Sequence, residues 1–211
     1  ALPCFYFDGQ TAALEDYLEL RPEKLETVKR FIKEKKLYCG PFYCSSDSLL
    51  VCAESLYRNL KYGIEKSKEL GVNDFIAYIP DSFGHSTDLP ALLRYFGLNK
   101  SVLWRGLGNL NADLDWQGIK TVNLVQGYFQ NFLHSDEPIE IKAENLKKYL
   151  DKISGKSGNA VLLPIGGDHL AAVKNIKDTV RKLNEIYKDY KINLENPFVY
   201  FKKAAEWEKT E

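Results

Sequence analysis

A mostly parallel α/β fold is predicted, on three observations. Short apolar runs alternate along the chain with longer stretches of helical periodicity. The runs at 75–79 and 160–163 are strand-length and bounded by proline or glycine, as buried strands are. Both are followed by an aspartate placed by a tight turn, in Pro80-Asp81 and in Pro164-Ile165-Gly166-Gly167-Asp168. Open α/β sheets place their chemistry at the carboxyl ends of parallel strands.

Residues 2–7 read as the first strand, with Asp8-Gly9-Gln10 as its turn. Asp8 either bonds its own turn or faces a ligand. Helix is predicted over 11–18, then again from Arg21-Pro22-Glu23, where proline in the first turn costs no hydrogen bond. Leu25, Val28, Phe31 and Ile32 form the apolar stripe of that second helix. A short strand at 37–39 closes at Gly40-Pro41. Residues 41–48 form an aromatic-bearing polar loop, in which Phe42 and Tyr43 either wall a sugar or cover the sheet end. Helix follows over 49–70 and ends at Gly71; on it Glu54 and Arg58 are four apart and pair on one face.

The central strand, 75–79, leads through Asp81 and Gly84 to a helix carrying Leu89, Leu92, Leu93 and Phe96, with Ser86 or Thr87 as its cap. Asp81 either caps this turn or faces the crevice. Strands are predicted at 101–104 and 119–125. The first ends in Arg105, beside Asp81 if the two strands are neighbours: a pairing that suits a nucleophile or ligand-binding carboxylate, and equally a plain salt bridge. Gly127-Tyr128-Phe129-Gln130-Asn131 offers rings and amides suited to sugars. His134 reads as a surface residue. Helix over 142–153, strand over 160–163, helix over 170–190 and an edge strand at 198–201 complete the chain. His169 reads as a metal ligand or as a partner tuning Asp168.

Composition excludes several classes. The chain has 211 residues, enough for one good core, and 29 basic against 29 acidic side chains. That balance offers no electrostatic grip on nucleic acid. No apolar run approaches a membrane span, and no signal peptide is visible. Cys4, Cys39, Cys44 and Cys52 read as reduced, buried thiols of a cytoplasmic protein, with two disulfides as the alternative. There is no G-x-G-x-x-G and no phosphate-binding loop of the Walker type. Two aspartates on one sheet edge are what a glycosidase uses, one as nucleophile and one as acid/base.

Taken together, these stretches resemble the catalytic α/β domain of the family 38 glycoside hydrolases, zinc-dependent retaining α-mannosidases. The bacterial intracellular branch that includes the mannosylglycerate hydrolases is the most similar. The resemblance is carried by Asp8-Gly9-Gln10-Thr11 with Leu14-Glu15-Asp16-Tyr17, by Gly40-Pro41-Phe42-Tyr43 with Asp47, and by Glu54-Ser55-Leu56-Tyr57-Arg58-Asn59-Leu60. It continues through Pro80-Asp81-Ser82-Phe83-Gly84-His85-Ser86, Trp104-Arg105-Gly106 and Leu163-Pro164-Ile165-Gly166-Gly167-Asp168-His169.

The resemblance implies a seven-stranded α/β domain lacking its first strand. It implies Asp81 as nucleophile and zinc ligand, Asp168 as acid/base, and Phe83, Arg105, Tyr128, Tyr43 and Asp47 around a mannose-containing substrate. The family's His-x-His-Trp-Asp motif and a later zinc-binding histidine are not in the sequence. Residues 1–211 therefore read as a partial catalytic domain, without the family's helical bundle and C-terminal β-sandwich, whose partner is the remainder of its polypeptide. Such a piece is expected to be metal-free and inactive alone, with an open sheet edge that admits a homo-oligomer. Small α-mannosides, or (6-phospho)mannosylglycerate, are the implied substrates. A non-catalytic carbohydrate-binding remnant is the competing class.

Overall fold

The computed structural model describes residues 2–128, 130–133, 136–204 and 207–210. The predicted Phe129 and His134 readings lie outside them. In chain order the elements are β1 (Phe5–Tyr6), α1 (Ala12–Leu20), α2 (Leu25–Lys33), β2 (Leu37–Tyr38), α3 (Ala53–Glu69), β3 (Ala77–Ile79) and α4 (Leu89–Tyr95). Then come β4 (Lys100–Leu103), β5 (Asp113–Trp116), β6 (Ile119–Asn123), α5 (Ile139–Ile153), α6 (Ile176–Ile186), α7 (Pro197–Lys203) and β7 (Glu208–Thr210). The main sheet runs β3-β4-β6-β5-β7, parallel except for the β5/β6 pair, and β1 and β2 form a parallel pair of their own.

Alternation along the strands divides the core between the two faces. Ala77, Ile79, Leu103 and Ile119 join the side chains of α1 to α4, whereas Ile76, Val102, Val122 and Leu124 pack with Tyr200 and Phe201 of α7. A third cluster holds α5 against α6 through Ala143, Leu146 and Leu183. Helix α3 shows why the pattern folds as it does. Its buried residues Leu56, Leu60, Gly63, Ile64 and Ser67 recur at three- and four-residue spacing on one face.

Four expectations are corrected. Residues 198–201 are helix rather than edge strand: Pro197 opens α7 at a position that needs no N–H, and the adjacent Tyr200 and Phe201 are both buried, which a half-exposed strand cannot do. Residues 160–163 form no ladder, because the edge of β6 is taken by β5. β5 itself was not predicted. It pairs with β6 across Gln117-Gly118, both at positive φ, the twist a two-residue hairpin requires. Finally, residues 170–175 and 187–190 lie outside α6, and residues 49–52 form an exposed turn before α3.

Smaller differences follow from local chemistry. Asp88, not Ser86 or Thr87, is the residue before α4; Ser86 Oγ instead accepts the Asp88 N–H at 3.2 Å. The Glu54–Arg58 pair forms at 2.6 Å. All four cysteines are free thiols; Cys39 is buried, but Cys44 and Cys52 are exposed rather than buried as expected. No helix among the described residues is long and apolar enough to cross a membrane.

Gly63 fixes the 41–43 loop against α3. A Cβ there would overlap backbone atoms of Pro41, Phe42 and Tyr43, none of which belongs to a flexible side chain. A mid-helix Gly→Ala change ordinarily gains up to about 1 kcal/mol. Here Gly63→Ala is expected to lose about 3 kcal/mol by overpacking. Urea denaturation measures this, and a raised midpoint would rule the contact out.

Candidate active site

Two backbone bonds carry the sheet's register past the ends of its strands. The Arg105 N–H donates to Pro80 O at 3.0 Å, one step beyond the Ile79/Leu103 pair, and the Leu124 N–H donates to Leu103 O at 2.8 Å. Asp81 and Arg105 thereby emerge side by side. Arg105 Nε donates to Asp81 Oδ1 at 2.7 Å. The guanidinium also faces the rings of Trp104, at 4.2 Å, and Phe83, at 4.5 Å. Between two rings and a carboxylate its plane is fixed. Phe83 itself is 69% exposed, an apolar wall open to solvent.

Tyr128 arrives from the turn after β6. Gly127, at φ 70°, allows the approach: a Cβ there would lie 2.6 Å from the Trp104 ring. The Tyr128 and Trp104 rings meet edge-on at 5.3 Å. Its hydroxyl donates to Asp81 Oδ2 at 2.8 Å and lies 3.2 Å from Asp168 Oδ2. The two carboxylate oxygens are therefore at most about 6 Å apart. Burial, and then the Asp81 bond, hold the phenol far above its ordinary pKa, so it stays a donor.

Asp81 thus accepts two hydrogen bonds. An ionised carboxylate has about four acceptor positions, which leaves two for a ligand or reacting atom. No three His, Cys, Asp or Glu side chains among the described residues converge as a metal site. One carboxylate with open acceptor positions does not by itself make a metal site.

Asp8, at the end of β1, belongs to the same crevice. The residue is exposed, yet surrounding atoms desolvate its carboxyl and raise it; the bond from Gln10 Nε2, 2.6 Å, opposes the rise, and Asp168 and Asp81 add to it. Sequence reasoning left Asp8 undecided, because β1 lies outside the main sheet and no spacing reveals its neighbour.

The remaining predicted residues fall elsewhere. Tyr43 meets the Tyr62 ring edge-on at 4.8 Å, and its hydroxyl serves Glu15, on the helical side of the domain. Asp47 lies in the loop whose Ser46 O accepts Ser82 Oγ at 2.6 Å, and its charge reaches His85. His169 is exposed at φ 60° in the Asp168 turn. The structure therefore brings together Asp81, Asp168, Tyr128, Arg105 and Phe83; Asp47 borders that group and Tyr43 does not join it.

Residues 4–211 match the glycosyl hydrolases family 38 N-terminal domain, and the chain belongs to that family. A protein of Halalkalibacterium halodurans named "Putative mannosylglycerate hydrolase" is 31% identical over 206 residues, covering 88% of this chain and 23% of its own length. Alpha-mannosidase G of Dictyostelium discoideum is 28% identical over 125 residues, covering 56% of this chain and 12% of its own. The crystal structure of an alpha-mannosidase from Enterococcus faecalis V583 superimposes with a TM-score of 0.86 at 27% identity, over 99% of this chain and 25% of that one. This chain spans about a quarter of the length of these bacterial relatives.

His85 sits on the turn that carries Asp81. Among the described residues neither ring nitrogen has a hydrogen-bond partner, and Trp116 lies 5.9 Å from the imidazole. Burial lowers its pKa to about 4, against an opposing pull from Asp47. Because the folded value lies below the unfolded one, the unfolded state takes up the proton first as pH falls from about 6.5. Stability is then expected to fall between about pH 6.5 and 4, by up to about 3 kcal/mol. Unfolding free energies at about pH 7 and pH 4.5 should differ by less in His85→Phe than in the native chain. Equal differences would remove the imidazole from the account.

Proposed function

We propose that this domain supplies the catalytic carboxylates of a retaining exo-α-mannosidase acting on small α-mannosides. The observation that carries the proposal is the Tyr128 hydroxyl between Asp81 and Asp168, which keeps the accepting oxygens within about 6 Å. Retaining glycosidases separate their carboxyl groups by about 5–5.5 Å, and inverting ones by about 6.5–9.5 Å, to admit a water. In this reading Asp81, oriented by Arg105 and Tyr128, attacks the anomeric carbon. Asp168 gives a proton to the leaving oxygen and then withdraws one from the water that releases the sugar. Phe83, with its ring exposed, offers an apolar face to the sugar. Zinc, when bound through Asp81 and groups outside the described residues, would bind sugar hydroxyls and polarise them.

Retention is checked by proton NMR of the first product formed by the full-length enzyme. The α-anomer is expected, and a first product in the β form would refute the pairing. Asp168→Asn should lower kcat/KM for alkyl mannosides by about 10²–10⁴. The loss should be smaller for 4-nitrophenyl α-mannoside, whose leaving group needs little protonation. Equal losses would deny Asp168 its acid role.

A second reading, hydrolysis of (6-phospho)mannosylglycerate, draws on the 31% identity to the H. halodurans protein. It needs a cation for the added charge, yet Arg105 already spends its Nε on Asp81. Arg105→Met is accordingly expected to reduce kcat on neutral and phosphorylated substrates alike. A selective loss of tenfold or more on the phosphorylated one would instead give Arg105 to the phosphate.

A further inference from the structure

The turn that carries Asp81 is also held from a side that Arg105 and Tyr128 do not reach. The Ser82 side chain is buried, and its hydroxyl donates to Ser46 O at 2.6 Å. Two residues on, Gly84 is wedged between the same loop and the chain after Arg105. A Cβ on Gly84 would come within 2.4 Å of Leu49 Cδ1, and one on Gly106 within 3.0 Å of Gly84 Cα. The 43–49 loop is therefore a third support of the Asp81 turn.

That loop has no strand ladder or helix to fix its first residues, and its backbone amides go to side chains instead. Asn59 of α3 accepts the Tyr43 and Cys44 N–H groups on Oδ1, at 2.8 and 3.0 Å, and donates from Nδ2 to Cys44 O at 2.8 Å. The Ser45 N–H goes to Gln10 Oε1 at 2.7 Å. Losing such partners leaves backbone groups unpaired, so these bonds hold the loop to one path. Asn59 is itself well anchored, because Leu56 and Leu60 beside it on α3 are buried. Position thus passes from α3 through Asn59 to residues 43–46, from Ser46 O to Ser82, and from Ser82 to the adjacent Asp81. Neither Asn59 nor Ser82 bonds to the Asp81 carboxylate, so both act through the backbone.

We propose that Asn59 and Ser82 are positioning residues. They latch the 43–46 loop between α3 and the Asp81 turn, and so set the reach of the Asp81 carboxylate to the anomeric carbon. The inference rests on the α-mannosidase reading.

The test uses full-length enzyme and 4-nitrophenyl α-mannoside, with kcat/KM measured well below the Tm of each variant so that folded proteins are compared. Misplacing a reacting group by about 1 Å costs about 10²-fold in rate. Asn59→Ala and Ser82→Ala are each expected to lower kcat/KM at least tenfold. Ser82→Thr, which keeps the hydroxyl, should recover most of the loss. The double variant should be little slower than the slower single one, because both substitutions open one latch. If Ser82→Ala does not fold, Ser82→Cys, with a weak donor in place of the hydroxyl, serves in its place. Asn59→Asp, which keeps the acceptor and loses the donor, does the same for Asn59. A purely structural role lowers Tm and leaves kcat/KM within twofold, and that result overturns the proposal. Losses that multiply in the double variant overturn it too. If the unsubstituted enzyme does not turn over the mannoside, the α-mannosidase reading falls and this one with it. Turnover by the unsubstituted enzyme with unmoved kcat/KM in the variants overturns the latch alone.

Discussion

Two carboxylates facing one crevice repel each other, and the hydroxyl of Tyr128 between Asp81 and Asp168 sets the arrangement to which the neighbouring structure is fitted. A phenol has one hydrogen, so it serves one carboxylate at a time. The shorter bond, to Asp81, is supported from the other side by Arg105. Asp81 is consequently held by two donors on different elements, one from the end of β4 and one from the turn after β6. Preorganisation of this kind places a reacting group without leaving its orientation to chance.

Close packing makes these approaches possible. Gly127 lets the chain pass against the Trp104 indole, and that indole in turn supports both the Tyr128 ring and the Arg105 guanidinium. Gly9 does the same for β1 against Tyr78. Tyr78 and Tyr6 are both pushed well above the usual phenol range by burial, so neither charges beside the acidic crevice. Lengths in the sheet are short, three to five residues in β3, β4 and β6, yet their register continues through the Pro80 and Leu103 carbonyls. The site sits on that extension.

Much of this was legible in the residues. Asp81 and Arg105 each stand just past a short apolar run, so their pairing was legible on the condition that the two strands are neighbours, because parallel strands deliver such positions to one edge. Period-3.6 patterns located α2, α3 and α5 within a few residues. The errors share a cause. Residues 160–163 and 198–201 are short apolar runs whose identity depends on what they pack against, and periodicity does not record that. β5 carries alternating Asp113, Leu114, Asp115 and Trp116, and its polar positions hid it. The signal that would have found it is Gln117-Gly118, a two-residue turn ahead of a strand. Asp113 also shows what no pattern reveals: a buried carboxylate that accepts the Tyr200 hydroxyl at 2.6 Å and so ties β5 to α7.

Charge sets the last constraint. Asp81 and Asp168 both act on Asp8 across the crevice, and Arg105 is bonded to Asp81 within it. A ligand that adds negative charge there meets carboxylates, whereas a neutral, hydroxyl-rich ligand meets acceptors and a phenol already in position. The chain spans about a quarter of the length of its bacterial relatives. Among the described residues the crevice presents acceptors, with the donors Arg105 and Tyr128 spent on holding Asp81.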